Sequence, residues 1–349
     1  MKFDIFYQLP AATTQNVRNR YRELIDESVA ADRLGFDTVW LAEVHFMHRF
    51  SLLPAPMMLL AAIAQATQRL KLGLAVNLIP LHHPARLAEE SATLDIISGG
   101  RMEFGAGRGS FTSNYRGYQI PITESRERMP EAVEYIRQAW LQPKLTFEGK
   151  YYRAADLEVI PKPLQQPHPP IRIAANSPDT FTLAGSMGHP IFVASGVNPP
   201  NLLDARLTLY RKGLADSDRT LPDDWLSYQM MTFVGRDPDR VRQIVEPGMR
   251  HYFEVVTEHL EPQSQAPEHV EQLEKIKNRM RSVTYESTAA NTALFGEPAA
   301  CVDRIRELEE RFGITRLICW FEFGGLQGHR EVIDSMRLWA YQVMPHFAA

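Results

Sequence analysis

The sequence predicts an α/β protein built as a (β/α)8 barrel, a TIM barrel carrying insertions, and three observations lead there. Short β-rich runs alternate with helical stretches from one end of the chain to the other, eight such runs are present, and several helical stretches are bounded by recognisable caps. Strands separated by helices run parallel, because a parallel pair needs a crossover connection. Eight repeats favour a closed barrel over an open doubly wound sheet. The chain has 349 residues, of which 44% are hydrophobic and 23% charged, enough for a core of barrel size.

The first run is Phe3 to Leu9. The stretch from Val17 to Leu34 then shows helical spacing at Val17, Tyr21, Leu24, Ile25, Ser28, Val29 and Ala31, and Gly35 closes it. Phe36 to Ala42 is a β-rich run, apolar as a strand buried on both faces requires. A small-residue helix over Pro54 to Ala66, a strand over Lys71 to Leu78, a helix over Pro84 to Ile97 and a strand over Met102 to Phe104 follow. A helix over Arg128 to Trp140 precedes an excursion, Leu145 to Val159, in which Phe147 to Tyr152 reads as a hairpin. Ile171 to Ala175 and Ile191 to Ala194 are strands flanking a helix opened by Ser177-Pro178, serine at the N-cap and proline in the first turn. Tyr228 to Val234 and Ile314 to Phe321 complete the set, and Glu331 to Val343 is the closing helix. Glu246 to Ser282 is polar and breaks the rhythm, so the chain reads as one barrel domain over 1–349 with a mobile insertion of partial helices around 246–290, placed as a lid.

With 38 Lys and Arg against 42 Asp and Glu, the chain offers no general field for nucleic acid or a membrane surface, and neither partner is expected. Met1 to Phe6 runs straight into a strand pattern, and no apolar stretch is long enough to span a bilayer, so a cytoplasmic protein is expected. Cys301 and Cys319 lack metal-ligand spacing and read as reduced structural thiols, and no metal is expected.

Reactive groups of a parallel barrel sit just past the C-terminal ends of its strands. Those positions hold Glu43 to His48 after the second strand, Asn77 to Pro84 after the third, and Gly105 to Ser110 after the fourth. Gly105, Gly107 and Gly109 would let backbone N–H groups approach an anion, and Arg108 adds a cationic fork suited to phosphate. The spacing is not a dinucleotide fingerprint. Asn176-Ser177-Pro178-Asp179-Thr180, at a helix N-terminus after the fifth strand, is a second anion site. Two such places in one barrel point to a phosphorylated cofactor.

Phe36 to Phe46, Pro84 to Glu90 with Leu94-Asp95, Ser98 to Arg101 with Phe104 to Gly109, and the tail from Gly313 to Pro345 resemble the bacterial luciferase-like flavin-dependent monooxygenases. The resemblance implies a barrel that binds reduced FMN at its mouth and uses O2 to oxygenate a small organic substrate through a C4a-peroxyflavin. It carries the phosphate-binding role to Arg108, Asn176, Ser177 and Thr180, and places the flavin ring against a non-proline cis peptide at Ala75-Val76. His45 is the implied acid/base group, with Glu43 orienting it, and Phe6, Trp40, Phe46, Met47, Leu78 and Phe111 are candidate pocket walls. Val44 stands where luciferases carry the first of two histidines, and Gly107 where they carry a reactive cysteine, so the light-emitting aldehyde reaction is not expected.

No second nucleotide motif is present for NAD(P)H, which implies a separate NAD(P)H:flavin reductase as partner. The family's habit of pairing through helices of the first half implies a homodimer built on Pro54 to Ala66 and Pro84 to Ile97. Two other functions fit the same barrel: an oxidoreductase using deazaflavin F420 to pass hydride, and a flavin-binding protein without turnover. The organic substrate is shaped by the loops Gln8 to Gln15 and Asn114 to Glu124 and by the insertion, and is not readable from them.

Overall fold

The computed structural model describes residues 1–11, 16–262 and 266–347, so the end of the Gln8 to Gln15 loop and residues 263–265 of the expected insertion lie outside the described residues. The first half of the chain runs β1 (Lys2–Tyr7), α1 (Val17–Leu34), β2 (Thr38–Leu41), α2 (Pro56–Ala66), β3 (Lys71–Leu74), β4 (Asn77–Leu78), α3 (Pro84–Ile97), β5 (Met102–Gly107), α4 (Thr112–Gly117) and α5 (Ser125–Leu141). Then come β6 (Leu145–Glu148), β7 (Arg153–Leu157), β8 (Ile171–Ala174), α6 (Pro178–Met187), β9 (Ile191–Ala194), α7 (Pro200–Asp216) and β10 (Leu226–Val234). The last part holds α8 (Pro238–His259), α9 (Pro267–Arg281), α10 (Tyr285–Asn291), β11 (Ala293–Gly296), α11 (Pro298–Phe312), β12 (Arg316–Glu322) and α12 (His329–Gln342).

Eight parallel strand positions close on themselves in the order β1, β2, β3, β5, β8, β9, β10, β12 and back to β1, so the barrel is a (β/α)8 barrel as expected. The third strand is interrupted: β3 and β4 both pair with β5, and the peptide Ala75-Val76 between them is cis. The hairpin expected at Phe147 to Tyr152 is present as antiparallel β6 and β7. β11 was not expected. It pairs with Met231–Val234, the part of β10 that continues past the stretch paired with β9.

Alternation along the strands decides what fills the barrel. Phe6, Trp40, Phe192 and Ile318 meet inside it, and Gly73 leaves the room: a Cβ there would lie 2.1 Å from the Trp40 ring. Phe3, Ile5, Tyr7, Leu317, Cys319 and Phe321 alternate with these and pack outward against the helices. Both thiols are free and buried, and burial pushes Cys301 up to about 12, which makes it inert.

Below Trp40 the interior is ionic. The Arg316 guanidinium donates to both oxygens of Asp4 at 3.0 Å, to Asp37 at 2.7 Å, to Asp224 at 2.7 Å and to Glu103 at 3.2 Å. Trp40 Nε1 donates to Asp4 at 2.8 Å, Lys71 reaches Glu103 at 3.3 Å, and Arg172 reaches Asp224 at 3.3 Å. Burial would push Asp4 upward further, but the Arg316 charge holds it to about 6. These residues sit at the N-terminal ends of β1, β2, β3, β5, β8, β10 and β12, the floor of the barrel opposite the mouth.

The excursion after β10 differs from the sequence expectation. Asp237 caps α8 by accepting from the Asp239 and Arg240 amides, and the helix runs unbroken through Pro247 to His259, so the break in rhythm begins eight residues before Glu246. One face of α8, Met249, Val255 and Val256, is buried toward the barrel. Val255 and Val256 pack with Ala42, Val44, Met47 and Phe50, and Met280 of α9 joins the same cluster. Arg49 to Glu258 at 2.7 Å and Arg116 to Glu261 at 2.9 Å tie the helix end down. The end of α8 and Met280 of α9 thus pack against the loop that follows β2.

Replacing Arg316 by methionine keeps the volume but leaves four carboxylates facing one another in the floor. The expected loss is about 3–5 kcal/mol of unfolding free energy, read as a lowered urea midpoint at pH 7.

Candidate active site at the barrel mouth

Two polar clusters face the mouth from neighbouring loops. The first lies past β5 and β8. Arg108 Nη2 donates to Thr180 Oγ1 at 3.3 Å, and Ser177 Oγ lies 2.8 Å from the same hydroxyl. Ser177 is the N-cap of α6 and makes no side-chain cap bond; Pro178 has no N–H and the Thr180 amide donates to the Ser177 carbonyl at 2.9 Å, so the Asp179 amide is the first-turn N–H not given to that carbonyl. Burial, and then the neighbouring Arg126 charge, pull the Arg108 guanidinium below its ordinary value. Arg126 itself pairs with Asp179 at 2.9 Å, whereas Arg108 takes only a hydroxyl partner among the described contacts. A half-buried cation beside a second cation and a helix N-terminus is a seat for an anion such as a phosphate.

Arg108, Ser177 and Thr180 are brought together as the sequence expected, and the Asn176 side chain lies beside the end of β9. Its Oδ1 lies 3.4 Å from the Ala194 amide, and Asn198 Nδ2 approaches its carbonyl at 3.4 Å, so it joins the ends of β8 and β9. The glycine run also works differently from the expected anion cradle. Gly105 and Gly107 belong to β5, and a Cβ on Gly107 would lie 2.3 Å from Val76 Cγ2. The glycine lets the Val76 side chain in. This explains why a side chain at 107 is excluded here: Val76 occupies its space. Arg126 was missed by the sequence reading, because its place opposite Asp179 arises from the fold of α5 against α6 and no local motif marks it.

The second cluster lies past β2 and β3. Glu43 is buried, and its Oε1 accepts from His45 Nε2 at 2.8 Å and from His82 Nε2 at 2.5 Å, while Oε2 accepts the Leu78 amide at 2.8 Å. Burial alone would raise the Glu43 carboxyl, but the hydrogen bonds from His45 and His82 outweigh it and hold it at about 2. Burial would lower His82, but the Glu43 carboxylate raises it above its ordinary value. The ligand atoms of these three side chains lie within 4.8 Å of one another. Both imidazoles converge on one carboxylate oxygen at hydrogen-bond distance.

The expected pocket walls divide. Phe46 stands 64% exposed with a positive φ of 63°, Met47 and half-buried Phe111 join the apolar cluster under α8, and half-buried Phe6 packs edge-on against Trp320 at 5.4 Å. Trp40 lies deeper and belongs to the barrel interior, and Leu78 packs with Leu81 and Tyr115 beside the anion seat. Tyr115 also donates its hydroxyl to the Arg108 carbonyl, bracing the loop that carries the guanidinium. Phe50, Tyr252 and Trp320, not expected from sequence, supply much of the aromatic surface there: Tyr252 packs 5.9 Å from Phe50 and 4.9 Å from Trp320. A cavity of about 630 Å³ lies between α8 and α9, lined by residues such as Arg250, Glu254, Lys277 and Arg281 and by Glu258 and Met280, which also meet the loop after β2.

Fold and site together define a parallel barrel with an anion seat and a histidine–carboxylate cluster facing one mouth. The family model for luciferase-like monooxygenase matches residues 1–316, and the chain belongs to that family. It is a luciferase-like monooxygenase, an oxidoreductase of the flavin-dependent kind. It is 27% identical to the alkanal monooxygenase alpha chain of a Kryptophanaron alfredi symbiont over 99% of this chain and 98% of that one. It is 31% identical to the oxygenase component of the flavin-dependent trigonelline monooxygenase of Acinetobacter baylyi over 54% of this chain and 52% of that one. Among solved structures, monooxygenase RslO1 of Streptomyces bottropensis superposes with a TM-score of 0.85 at 25% identity over the whole of both chains. The oxygenating constituent of 3,6-diketocamphane monooxygenase of Pseudomonas putida, in complex with FMN, shares the fold at a TM-score of 0.82 and 19% identity over 99% of this chain and 98% of that one. An F420-dependent secondary alcohol dehydrogenase shares it at 0.78 and 17% over 100% and 99%. No helix among the described residues is long and apolar enough to cross a membrane.

The Glu43–His82 pair has a defined pH window. His82, raised on folding, contributes stability that is complete below its ordinary value of 6.5 and lost as pH rises through its folded value. Glu43, depressed, contributes stability present above 4.5 and lost as pH falls toward about 2. His82→Gln keeps a donor and removes the charge. Its stability deficit, about 1 kcal/mol, is expected to be largest between pH 4.5 and 6.5 and to shrink on either side in urea melts across pH.

Proposed function

We propose that this chain is the oxygenase component of a two-component monooxygenase that takes reduced FMN from a separate NAD(P)H:flavin reductase and uses O2 to oxygenate a small organic substrate. The observation that carries the FMN reading is the half-buried Arg108, which lacks a carboxylate partner among the described contacts and stands beside Ser177, Thr180 and the start of α6. These residues fit a phosphate. Arg108 and the two hydroxyls would hold it, with Arg126 as a second cation in reach, and Asn176 would act through the backbone it fastens. Ala75 and Val76, at the break between β3 and β4, would back the ring system.

Bound reduced FMN supplies the two electrons with which dioxygen is reduced, one oxygen atom entering the substrate and the other leaving as water. The chain's own part is to position and to dry the mouth. The cluster of Met47, Phe50, Phe111, Val255 and Val256 keeps apolar surface over the site, and low local polarity strengthens each remaining hydrogen bond. His45 and Glu43 supply the acid/base pair. F420 is the second reading, supported by the fold shared with the F420-dependent alcohol dehydrogenase. Cytoplasmic placement is part of the proposal.

The homodimer belongs to the same proposal. α2, PMMLLAAIAQA, carries no charged residue; its Met58 is 76% exposed, with Ala62 and Ala66 exposed on the same side. Ile96 and Ile97 at the end of α3 are exposed as well, and Gln65 of α2 approaches the Ile97 carbonyl. An uncharged helix face continued by a second helix suits a two-fold contact with another copy.

Arg108→Ala is expected to weaken FMN by about 1.5–3 kcal/mol, roughly 10- to 150-fold, while riboflavin, which lacks the phosphate, changes little. Fluorescence titration of the two flavins, with F420 in parallel, measures this, and equal losses for FMN and riboflavin count against the phosphate seat. Met58→Glu is expected to give monomer in sedimentation velocity where the wild type gives dimer.

A further inference from the structure

The contacts of His45 leave that imidazole no open nitrogen. Nε2 lies 2.8 Å from Glu43 Oε1, and Nδ1 lies 3.1 Å from the Tyr118 hydroxyl. Glu43 is ionised and can only accept. Nε2 therefore carries the proton of the neutral ring, Nδ1 is left as acceptor, and the Tyr118 O–H must be the donor. The direction of the chain follows: Tyr118 Oη–H to His45 Nδ1, then His45 Nε2–H to Glu43 Oε1.

Position decides which end a bound molecule can meet. His45 is 3% exposed, whereas Tyr118, the residue that ends α4, is 42% exposed. The tyrosine ring stands edge-on to His45 with centroids 4.9 Å apart and lies 5.5 Å from the Phe46 ring. Gly117 makes that packing possible, since a Cβ there would lie 2.1 Å from Phe46. Burial, and then the Glu43 charge, hold the Tyr118 phenol above its ordinary value, so it is a neutral donor that keeps lone pairs for an incoming proton.

We propose that the Tyr118 hydroxyl is the group of the mouth that exchanges a proton with a bound molecule, with His45 as the base behind it and Glu43 positioning His45. A substrate or adduct O–H in the mouth gives its proton to Tyr118 Oη while the Tyr118 proton passes to His45 Nδ1. One O–H bond breaks and one forms at the tyrosine, one N–H bond forms at His45, and the resulting imidazolium is held by the Glu43 carboxylate. The reverse transfer returns the proton, and no oxidant is consumed. Donor, imidazole and carboxylate stand in the order of a hydrolase triad, with a phenol in the outer place. The His45 imidazole, assigned from sequence as the acid/base itself, becomes the group that acts through the tyrosine.

The inference rests on the flavin oxygenase reading, so its test has one arm that needs no flavin. Tyr118→Phe keeps the ring contacts and removes only the hydroxyl. In 15N correlation spectra of the flavin-free protein at pH 7, wild-type His45 is expected to show a protonated Nε2 and a bare Nδ1. The Nδ1 resonance is expected to move in Tyr118→Phe without a change in melting temperature. A protonated Nδ1 in the wild type overturns the proposal. In the second arm, reduced FMN is mixed with dissolved O2 and peroxide release is followed in H2O and D2O. Tyr118→Phe is expected to bind reduced FMN as tightly as wild type, to slow the release about 100-fold and to lose the solvent isotope effect. Wild-type rate and isotope effect in the variant overturn it. Failure of the wild type itself to bind reduced FMN overturns the flavin reading instead, and the resonance of Nδ1 then decides the proton chain by itself.

Discussion

Arg316 holds the floor of the barrel together, and the position of everything at the mouth depends on it. Its guanidinium gathers carboxylates from β1 and β5 and from the residues that open β2 and β10, strands that are distant in sequence. Asp4 and Glu103 would be costly alone in so buried a place, and they are tolerable because one oxygen or both of each carboxylate meets a cationic donor. A planar five-donor cation is the side chain able to serve that many acceptors at once. Lysine has neither the number nor the spread of donors. With the strand starts pinned in register, the strand ends that carry His45, Arg108 and Ser177 are set relative to one another before any ligand arrives.

The mouth divides its labour between two loops of opposite electrostatic character. Past β5 and β8 stands a half-buried cation whose described side-chain partner is a hydroxyl. Past β2 and β3 stands a carboxylate shared between two imidazoles. Between them lies the break at Ala75-Val76, where Val76 takes the space that a side chain at 107 would fill. α8 and α9 pack apolar side chains against the loop after β2.

Much of this was legible in the sequence, for reasons that differ by element. Buried parallel strands must be short apolar runs, so all eight barrel strands announced themselves. β11 did not, because Ala293 to Gly296 is four residues long and pairs only with the overhang of β10. α11 carries its own sequence signal, since Pro298 opens it and Val302, Ile305, Leu308 and Phe312 repeat at helical spacing. α8 starts earlier than expected because Asp237-Pro238 is a cap and first turn, which the polar composition of the segment concealed. Arg108, Ser177, Thr180 and His45 could be picked out by their places past strand ends. The Asn176 side chain can turn either way from the same backbone, His82 lies in the marked stretch Asn77 to Pro84 with nothing to single it out there, and Arg126 and Tyr118 have no local mark.

The sequence by itself determined the alternation of strands and helices, the number of barrel strands and the chemical types available at each strand end, since all three are carried by neighbours in the chain. Only the tertiary structure decided which of those groups share protons or charge. Tyr118 meets His45 across 73 residues, Arg108 meets Thr180 across 72 and Arg316 meets Asp4 across 312. Hydrogen bonds and ion pairs act over a few ångströms of space whatever the separation along the chain, so partners of this kind exist only once the barrel has closed.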